Sequence, residues 1–496
     1  MGDLPKTYPV ACHTSNVGPG TAFVAIDGYK TFGTEFVGKA IKNGASQCVL
    51  SLKNFGNFGE ICRCKKSKFT KTGKYLSKCV TCGFLYKYVL DPRKELAKLA
   101  AKECGFPAKK LSSVGITGTK GKTTSSTMVS HILEFSGRKT ALTGSVHNLI
   151  GKEIYPSTLT TPGSDFLHCF LKKAVNSEVK YAVLEASSQG IGQSRLDGIN
   201  FDVAAFTNLG HDHLDYHKTL DEYFNSKIAL FRQCSGPIVI NTDDDWGRKA
   251  VERAKKVVTF GVRPFDFLGH IILEFDSGDP DKGLKFSLSS KSFNQKFSVP
   301  NLFGGFNAYN AATSAIICHV LGLSFGDIKK GLESFPGVLG RMQKFELDAN
   351  KTVFIDFAHT PDSMQAALSV LRPITENLTV VFGAGGNRDC LKRPMMGAVA
   401  EKYADLVFLT SDNPRDEDPN KIIEDIATGI KTKKVILEPD RKKAIEMAIE
   451  FSGPNSVIAL LGKGNECAQV IKNETLNFSD FDCIKPFLGK SDVLQF

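Results

Sequence analysis

Residues 112–137 place an apolar run directly before a glycine-rich turn and a helix-forming segment. SSVGIT predicts a buried strand, GTKGK predicts a tight turn, and TTSSTMVSHILEFSG predicts a helix that ends near Gly137. This order is typical of a phosphate-binding loop, because the amides at the helix N-terminus point at the anion. The segment therefore restricts this part of the chain to an α/β fold with a candidate nucleotide site.

The spacing within this turn differs from that of the common phosphate loop. The common pattern has a glycine five positions before its Gly-Lys pair, where this chain has Ile116. Gly118 and Gly121 still free backbone amides for phosphate oxygens. Lys122 supplies a charge for the β and γ phosphates, and Thr123 offers a hydroxyl to Mg²⁺. Turns of this type also join strands to helices that bind no ligand, but the lysine and threonines favour nucleotide binding.

Strand and helix patterns alternate along the chain in three blocks. A chain of 496 residues exceeds the size at which a single hydrophobic core usually stops growing. We predict an α/β fold with three domains: a small N-terminal α/β domain (1–110), a central domain with a P-loop ATPase-like parallel sheet (111–337) and a C-terminal Rossmann-like domain (338–496).

A basic, cysteine-bearing segment interrupts the first block. Residues 60–88 hold eight Lys or Arg against one Glu, and so carry much of the net charge of +11. Cys62 and Cys64 form a C-x-C pair and Cys79 and Cys82 a C-x-x-C pair, which together could close a tetrahedral zinc site. The alternatives are a lysine-rich loop with free cysteines and a module that binds a polyanion. Nucleic acid is the less favoured partner, since paired cysteines specify a metal better than a partner.

The rest of the composition is that of an ordinary globular protein. There is no apolar run long enough to cross a bilayer and no secretory signal pattern, and the thirteen cysteines are scattered. These features predict a cytoplasmic protein with reduced thiols and no membrane partner. We expect a monomer.

Eight motifs along the chain occur in the order found in the Mur ligases: GTKGKTT, EASSQG, TNLGHDHLDYH, NSKIALF, FNAYNA, GRM, DFAHTPDS and SDNPR. The chain most resembles the MurE type, which adds the third residue to UDP-N-acetylmuramoyl-L-alanyl-D-glutamate. The resemblance implies that ATP phosphorylates a substrate carboxylate and that the amine of the incoming amino acid attacks the acyl phosphate. It also implies peptidoglycan precursor synthesis, with meso-diaminopimelate as the amino acid.

The resemblance assigns a nucleotide set and two magnesium sites. The residues implied to bind ATP are Gly118, Thr119, Lys120, Gly121, Lys122, Thr123, Thr124, Asn307, Asn310, Arg341, Asp356 and His359. Those implied to hold magnesium are Thr123, Glu185, His213 and Lys227, the last as a carbamate, and Lys122 joins the last three as the catalytic set. Without the resemblance, the sequence predicts Lys227 as a surface lysine on an amphipathic helix, and Glu185 could be a capping or solvated residue. The two asparagines could be ordinary residues at a helix start.

Two further sets are implied for the other substrates. The UDP-substrate set is Thr14, Thr160, Thr161, Ser187, Gln193 and Arg195, and the diaminopimelate set is Arg388, Asp412, Asn413, Arg415, Gly462 and Glu466. Arg415 would hold the distal carboxylate in a bidentate pair, which L-lysine cannot form. The alternative interpretations are a capped helix start at Ser187 and a plain Asx-Pro turn at SDNPR.

The chain departs from the family pattern at three motifs and in its cysteine-bearing segment, which the family pattern does not include. Phe32-Gly33 stands where the family has a later Asp-Gly. His13, Thr14 and Ser15 stand where the family's N-terminal domain usually has Asp-Ser-Arg, and Asn465 replaces the histidine of Gly-Lys-Gly-His-Glu. These differences leave three alternatives: L-lysine or another amino acid as substrate, an altered acceptor, or a non-catalytic Mur-like protein that binds nucleotide or polyanion.

Overall fold

Six strands form the sheet of the N-terminal part of the chain. They are β1 (Val10–Ala11), β2 (Ala22–Val24), β3 (Gln47–Ser51), β4 (Phe69–Gly73), β5 (Leu76–Cys79) and β6 (Leu85–Val89), in the sheet order β1-β2-β3-β6-β5-β4. The first three strands and β6 pair in parallel, whereas β4 and β5 pair antiparallel at one edge. Helices α1 (Val37–Lys42) and α2 (Pro92–Glu103) belong to the same part. The basic segment predicted from sequence therefore contributes edge strands.

The structure, a computed structural model, describes residues 2–28, 31–55, 69–73, 75–213, 216–276, 283–432 and 434–488. The chain divides into two compact units, Met1–Ile271 with Thr313–Gly331 and Ile272–Ala312 with Leu332–Phe496. The domain boundaries near residues 110 and 337 stay predictions. Among the described helices, none combines the length and the apolar character that a membrane crossing requires.

The central sheet of the first unit is mainly parallel. Its strands are β7 (Ser112–Thr117), β8 (Thr140–Thr143), β9 (Asn148–Ile150), β10 (Glu153–Tyr155), β11 (Tyr181–Glu185), β12 (Val203–Phe206), β13 (Ile238–Asn241) and β14 (Val257–Gly261), in the order β10-β9-β8-β11-β7-β12-β13-β14. Among these described strands, β9 pairs antiparallel with both β8 and β10. The inner strands are mostly apolar, and they are buried except for the first residue of β7 and of β11, as expected when helices cover both faces of a parallel sheet. The helices are α3 (Lys122–Phe135), α4 (Ser164–Asn176), α5 (Ser188–Gly192), α6 (Leu220–Ile228) and α7 (Asp245–Val251).

The order of the central strands brings three polar segments to one sheet edge. Glu185 ends β11 in register with Ile116 of β7, and Phe206 of β12 is in register with Thr117. The phosphate-loop candidate, Glu185 and the segment after Phe206 thus leave the carboxyl ends of adjacent strands, where ligands bind in doubly wound sheets. The predicted strand, turn and helix are confirmed, and Gly137 follows α3 with a φ of 77°.

The second unit contains a six-stranded sheet with one antiparallel edge strand. Its strands are β18 (Gln343–Leu347), β19 (Lys351–Asp356), β20 (Leu378–Phe382), β21 (Leu406–Leu409), β22 (Lys434–Leu437) and β23 (Val457–Leu461), in the order β18-β19-β23-β20-β21-β22. Three antiparallel strands precede it, β15 (Ile271–Asp276), β16 (Leu284–Ser289) and β17 (Asn294–Val299), and the hairpin of β24 (Ala468–Ile471) and β25 (Glu474–Asn477) follows. The remaining helices of the described residues are α8 (Gly305–Val320), α9 (Phe325–Glu333), α10 (Pro361–Leu371), α11 (Lys392–Tyr403), α12 (Pro419–Ala427), α13 (Arg441–Phe451) and α14 (Asp480–Ile484), of which α8 and α9 have residues in both units. The parallel core with helices confirms the predicted α/β class.

A fully buried ion pair ties α13 to α14. Arg441 donates from Nε and Nη2 to the two carboxylate oxygens of Asp480 at 2.8 and 2.7 Å, and Nη2 also donates to the carbonyl of Leu461. Removal of one partner leaves an uncompensated buried charge, which costs more than the pair itself contributes.

We expect Asp480→Asn to lower the free energy of unfolding by about 3–5 kcal/mol. Chemical denaturation of the purified variant measures this. Asp482→Asn is the matched control, since Asp482 lies exposed on the same helix. A loss below about 1 kcal/mol for Asp480→Asn would show that the pair is not a buried charge pair in solution.

Candidate nucleotide and amino-acid sites

The loop between β7 and α3 requires glycine at two positions. Gly118 has a φ of 152°, and a Cβ there would collide with the hydroxyl of Thr207. Gly121 precedes α3 with a φ of 87°, in the left-handed region that favours glycine. The loop therefore presents bare backbone at a helix N-terminus, which fits the phosphates of a nucleotide.

Side chains after β12 hold the same loop in place. The amides of Thr119 and Lys120 donate to the backbone and side-chain oxygens of Asn208, both at 2.9 Å, and Thr207 Oγ1 donates to the carbonyl of Lys120 at 2.7 Å. Lys122 Nζ donates to two loop carbonyls. Sequence reasoning assigned no role to Asn208, although its place directly after a buried strand was a usable signal. Thr124 is buried in the first turn of α3.

Glu185 is buried, and its carboxylate accepts hydrogen bonds from two sides. Thr123 Oγ1 donates to Oε2 at 3.0 Å, and Ser145 donates from its amide to Oε1 at 2.9 Å and from its hydroxyl to Oε2 at 3.2 Å. A carboxylate and hydroxyls are hard oxygen donors of the kind that Mg²⁺ prefers. The residues therefore fit a magnesium site. The structure brings Thr123 and Glu185 together as predicted and adds Ser145, which sequence reasoning missed.

Lys227 is buried rather than on the surface. Its side chain is 1% exposed, Nζ donates to the carbonyl of Gly118 at 2.7 Å, and the ring of Tyr223 lies 4.2 Å from Nζ. Burial, and next the charge of Lys122, lowers the pKa of the Lys227 ammonium well below its ordinary value. The interpretation as a surface lysine is wrong. A neutral amine, which carbamate formation needs, fits this position.

Tyr223 is the common neighbour of three residues of this site. Besides Lys227 it contacts the ring of His213, with centroids 6.1 Å apart, and the ring of His217, with centroids 5.0 Å apart. His213 is exposed and has a φ of 54°, a strained backbone of the kind that gathers at functional sites. His217 is buried against the hydroxyl of Ser188.

Within the described ranges, no group of three or more His, Cys, Asp or Glu side chains is arranged so that it could hold a metal ion.

The predicted zinc ligands are only partly described. Cys62 and Cys64 lie outside the described residues. Cys79 is buried at the end of β5, and its sulfur accepts a hydrogen bond from the amide of Cys82 at 3.5 Å, while Cys82 is exposed. Zinc at this segment stays a prediction.

A cavity of about 510 Å³ lies between the N-terminal sheet and the central sheet of the first unit, and it contains three of the predicted UDP-substrate residues: Thr14, Gln193 and Arg195. Arg195 donates from Nη2 to Gln193 Oε1 at 2.7 Å, and Arg93 donates from Nη1 to the same oxygen at 3.4 Å. Two arginines on one wall fit a diphosphate. Sequence reasoning missed Arg93, whose signal was its position in the first turn of a helix that begins Asp-Pro-Arg.

Thr160, Thr161 and Ser187 connect this cavity to Glu185 instead of lining it. Ser187 is the N-cap of α5, so the helix-cap interpretation is confirmed for it. The Thr161 hydroxyl donates to the carbonyl of Glu185 at 2.7 Å, and Thr160 Oγ1 lies 2.9 Å from Ser145 Oγ. The carbonyl of Thr161 accepts from Arg195 at 2.8 Å. These residues therefore join the magnesium candidate to the arginine wall.

The predicted adenosine residues lie in the second unit. Asn307 and Asn310 are buried in the first turns of α8, where Asn310 Nδ2 donates to Asn307 Oδ1 at 2.8 Å. Phe357 is flanked by the guanidinium of Arg341, 4.5 Å from its ring, and by the ring of His359, 4.6 Å away.

The carboxylate of Asp356 accepts hydrogen bonds from two backbone amides, that of Met342 just before β18 and that of Ala358 just after β19. Arg341, Asp356 and His359 therefore share one loop cluster.

The predicted amino-acid residues converge on the loop after β21. Arg415, with a φ of 52°, donates from Nη1 to the carbonyl of Gly386 at 2.7 Å. Asn413 Nδ2 donates to Glu466 Oε2 at 2.9 Å. Gly462 has a φ of 109°, and a Cβ there would lie 2.8 Å from Asp412 Oδ2.

Arg388 is exposed next to this loop. A Cβ added at Gly385 would contact the side chains of both Arg388 and Arg415, so the two arginines are close to each other. The structure therefore brings the six predicted residues close together, in a group that we call the amino-acid pocket. It also adds Lys463, which sequence reasoning missed.

Two family models match the chain, the Mur ligase middle domain at residues 116–318 and the Mur ligase glutamate ligase domain at residues 340–464. A UDP-N-acetylmuramoyl-L-alanyl-D-glutamate--2,6-diaminopimelate ligase of Caldanaerobacter subterraneus is 36% identical over 96% of this chain and 93% of its own length. The chain belongs to the Mur ligase family.

The similarity extends to other relatives. The ligase of the same name from Aquifex aeolicus is 42% identical to this Mur ligase over 81% of the chain and 82% of its own length. A solved structure with that name is 28% identical, has a TM-score of 0.63, and covers 97% of this chain and 94% of its own. The departures noted in the N-terminal block thus occur within a chain that is similar to these relatives along nearly its whole length.

Proposed function

We propose that this chain is an ATP-dependent ligase that forms an amide bond between UDP-N-acetylmuramoyl-L-alanyl-D-glutamate and meso-diaminopimelate in peptidoglycan precursor synthesis. The relatives named above carry this activity in their names. The observation that carries the amino-acid choice is the guanidinium of Arg415, which has one nitrogen fixed by Gly386 and stands in one pocket with Glu466. The family resemblance also assigns the reaction to the cytoplasm.

The phosphate loop would bind ATP at the edge of the central sheet. The backbone around Gly118 and Gly121 would receive the phosphates, with Lys122 as the nearby cation. Thr123 and Glu185 would hold magnesium, which offsets the charge of the phosphates during phosphoryl transfer. Ser145 would fix the orientation of the Glu185 carboxylate through its two hydrogen bonds.

Lys227 would act in this site as a carbamate. The neutral amine would form an N–C bond to CO₂ and release one proton to solvent, which leaves an anionic carbamate whose oxygens would suit a second magnesium together with His213. Burial of Nζ beside the phosphate loop supports this role. Tyr223 would keep the lysine and the histidine at a fixed separation through its ring contacts with both.

The cavity between the two sheets of the first unit would bind the nucleotide sugar. Arg195 and Arg93 would hold its diphosphate. The hydrogen-bonded side chains of Thr160, Thr161 and Ser187 connect this part of the cavity to Glu185. The carboxylate to be activated would thereby approach the phosphate loop. Thr14 at the far side of the cavity would contact the uridine end.

Phosphate release from ATP by the purified protein tests the proposal. The acceptor UDP-N-acetylmuramoyl-L-alanyl-D-glutamate is supplied with meso-diaminopimelate, with L-lysine or with no amino acid. We expect release with diaminopimelate and little in the other two tubes, because only diaminopimelate offers a distal carboxylate to Arg415. Equal rates with L-lysine would refute the amino-acid choice. Absence of phosphate release in all three tubes would refute the proposed acceptor. The residues that differ from the family pattern in the N-terminal part would then be the first to examine.

A further inference from the structure

Lys463 is a fully buried cation inside the amino-acid pocket. It follows β23, and Nζ donates to Asn413 Oδ1 and to Glu466 Oε2, both at 3.3 Å. The ring of Phe478 lies 5.9 Å from Nζ. A buried ammonium is costly unless it is paired, and Glu466 is its ion-pair partner among the described residues. Lys463 therefore lies buried directly beside two residues of the predicted diaminopimelate set, Asn413 and Glu466.

Lys463 determines which way the amide of Asn413 points. Asn413 Oδ1 receives two donors, Lys463 Nζ and the amide of Val470 at 3.0 Å. Neither of these groups can accept a hydrogen bond, so the amide cannot be reversed. Asn413 Nδ2 must then face Glu466, where it donates to Oε2.

These hydrogen bonds determine which atoms of Glu466 and Arg415 the pocket can offer to an amino-acid substrate. Oε2 of Glu466 takes both protein donors, whereas Oε1 has no hydrogen-bond partner among the described residues, and the side chain is 38% exposed. Arg415 uses Nη1 for Gly386 and Asn413, and its amide donates to the carbonyl of Val470. Oε1 of Glu466 and one edge of the Arg415 guanidinium are thus held in fixed positions. The loops that carry them are joined by the hydrogen bonds of Lys463 and Val470.

We propose that Lys463 is a positioning residue that makes the pocket select an amino acid with both an ammonium and a carboxylate at its distal end. This rests on the proposed function. Among the described residues, the charged groups of the pocket include the cations of Arg388, Arg415 and Lys463 and the carboxylates of Asp412 and Glu466. Without Lys463, the Glu466 carboxylate carries its full charge and the amide of Asn413 loses a constraint. A purely cationic side chain such as that of L-lysine then gains relative to diaminopimelate.

The test is the near-isosteric Lys463→Met variant of the full chain, with Lys421→Met as the control. Lys421 is an exposed lysine on α12, outside the pocket. We expect the KM for meso-diaminopimelate to rise about ten- to a hundredfold in Lys463→Met, the range for loss of a charge-assisted hydrogen bond. The kcat and the KM values for ATP and acceptor stay within about twofold, and the preference for diaminopimelate over L-lysine falls.

Two further measurements separate positioning from a structural role. If Lys463 acts through its ion pair with Glu466, adding Lys463→Met to Glu466→Gln changes the KM for diaminopimelate far less than it does in the parent, because the negative charge of residue 466 is already gone. The proposal would be overturned if Lys463→Met left the KM for diaminopimelate unchanged, or if the effects of Lys463→Met and Glu466→Gln on that KM simply multiplied. It would also be overturned if kcat fell and the kcat/KM values for all three substrates fell equally. The parent chain is assayed first, so absence of diaminopimelate-dependent phosphate release there refutes the proposed function before any variant is compared.

Discussion

Lys227→Ala is expected to lower kcat for phosphate release by about a hundred- to a thousandfold or more, the cost of removing one preorganised charged group from a phosphoryl-transfer site. The reason lies in the position of Nζ, which is buried and 2.7 Å from the carbonyl of Gly118 at the phosphate loop. Alanine removes the nitrogen on which the carbamate would form. The KM for diaminopimelate should change little, since Lys227 and the amino-acid pocket lie in different units.

Steady-state kinetics with the three substrates measures this effect, and Lys218→Ala is the matched control. Lys218 precedes α6 and is exposed, so its removal should leave kcat within about twofold. Short carboxylates such as acetate should restore part of the activity to Lys227→Ala by entering the space of the lost side chain. A carbamate signal in ¹³C NMR under ¹³CO₂, present in the parent and missing from the variant, identifies the modification directly. Full activity of Lys227→Ala would refute the carbamate.

The fold was predictable from sequence where a pattern is local. The apolar run of β7, its glycine-rich turn and the helix after it appear in consecutive residues, and parallel strands buried on both faces leave continuous apolar runs. Glu185 was placed at a strand end by the same argument. The edge strands β4 and β5 were not predicted, since their pairing is set by tertiary contacts with β6.

The site was less predictable because hydrogen-bond partners distant in sequence decide it. Lys227 has the sequence setting of a surface lysine, and its burial follows from the packing of α6 against the phosphate loop. Ser145 reaches Glu185 across 40 positions, and Lys463 reaches Asn413 across 50. Patterns of secondary structure are read over short segments of sequence, and no such segment contains both members of these pairs. Only the family resemblance pointed to Lys227, and nothing in the local pattern pointed to Lys463.

The replacement at Asn465 has a structural counterpart. Its Oδ1 lies 3.4 Å from Nη1 of Arg341, so the residue faces the cluster around Phe357. Its neighbours Lys463 and Glu466 face Asn413 instead. One short loop thus joins the candidate adenosine cluster to the candidate amino-acid pocket within the second unit. The departure from the family's histidine falls on the nucleotide side of that loop and leaves the residues that would contact diaminopimelate in place.

Arg415→Met is expected to weaken the binding of meso-diaminopimelate by about 2–5 kcal/mol, the range for truncating one partner of a buried charge pair. The guanidinium is half-buried, and its Nη1 is held by the carbonyls of Gly386 and Asn413. Nε and Nη2 form no hydrogen bond among the described residues, so one planar edge can pair with a carboxylate in bidentate fashion. Use of L-lysine should not fall, because its side chain has no carboxylate to lose.

The KM for each amino acid, measured by phosphate release, checks this expectation. Arg263→Met is the control, since Arg263 is exposed in the first unit. Arg415→Lys keeps the charge and loses the fork, so we expect it to recover only part of the affinity for diaminopimelate. If Arg415→Met weakened diaminopimelate and L-lysine equally, the arginine would be maintaining the loop after β21 rather than binding the distal carboxylate. Selectivity would then rest on Glu466 and Lys463 alone, and the predicted effect of Lys463→Met on the preference between the two amino acids would remain in the Arg415→Met background.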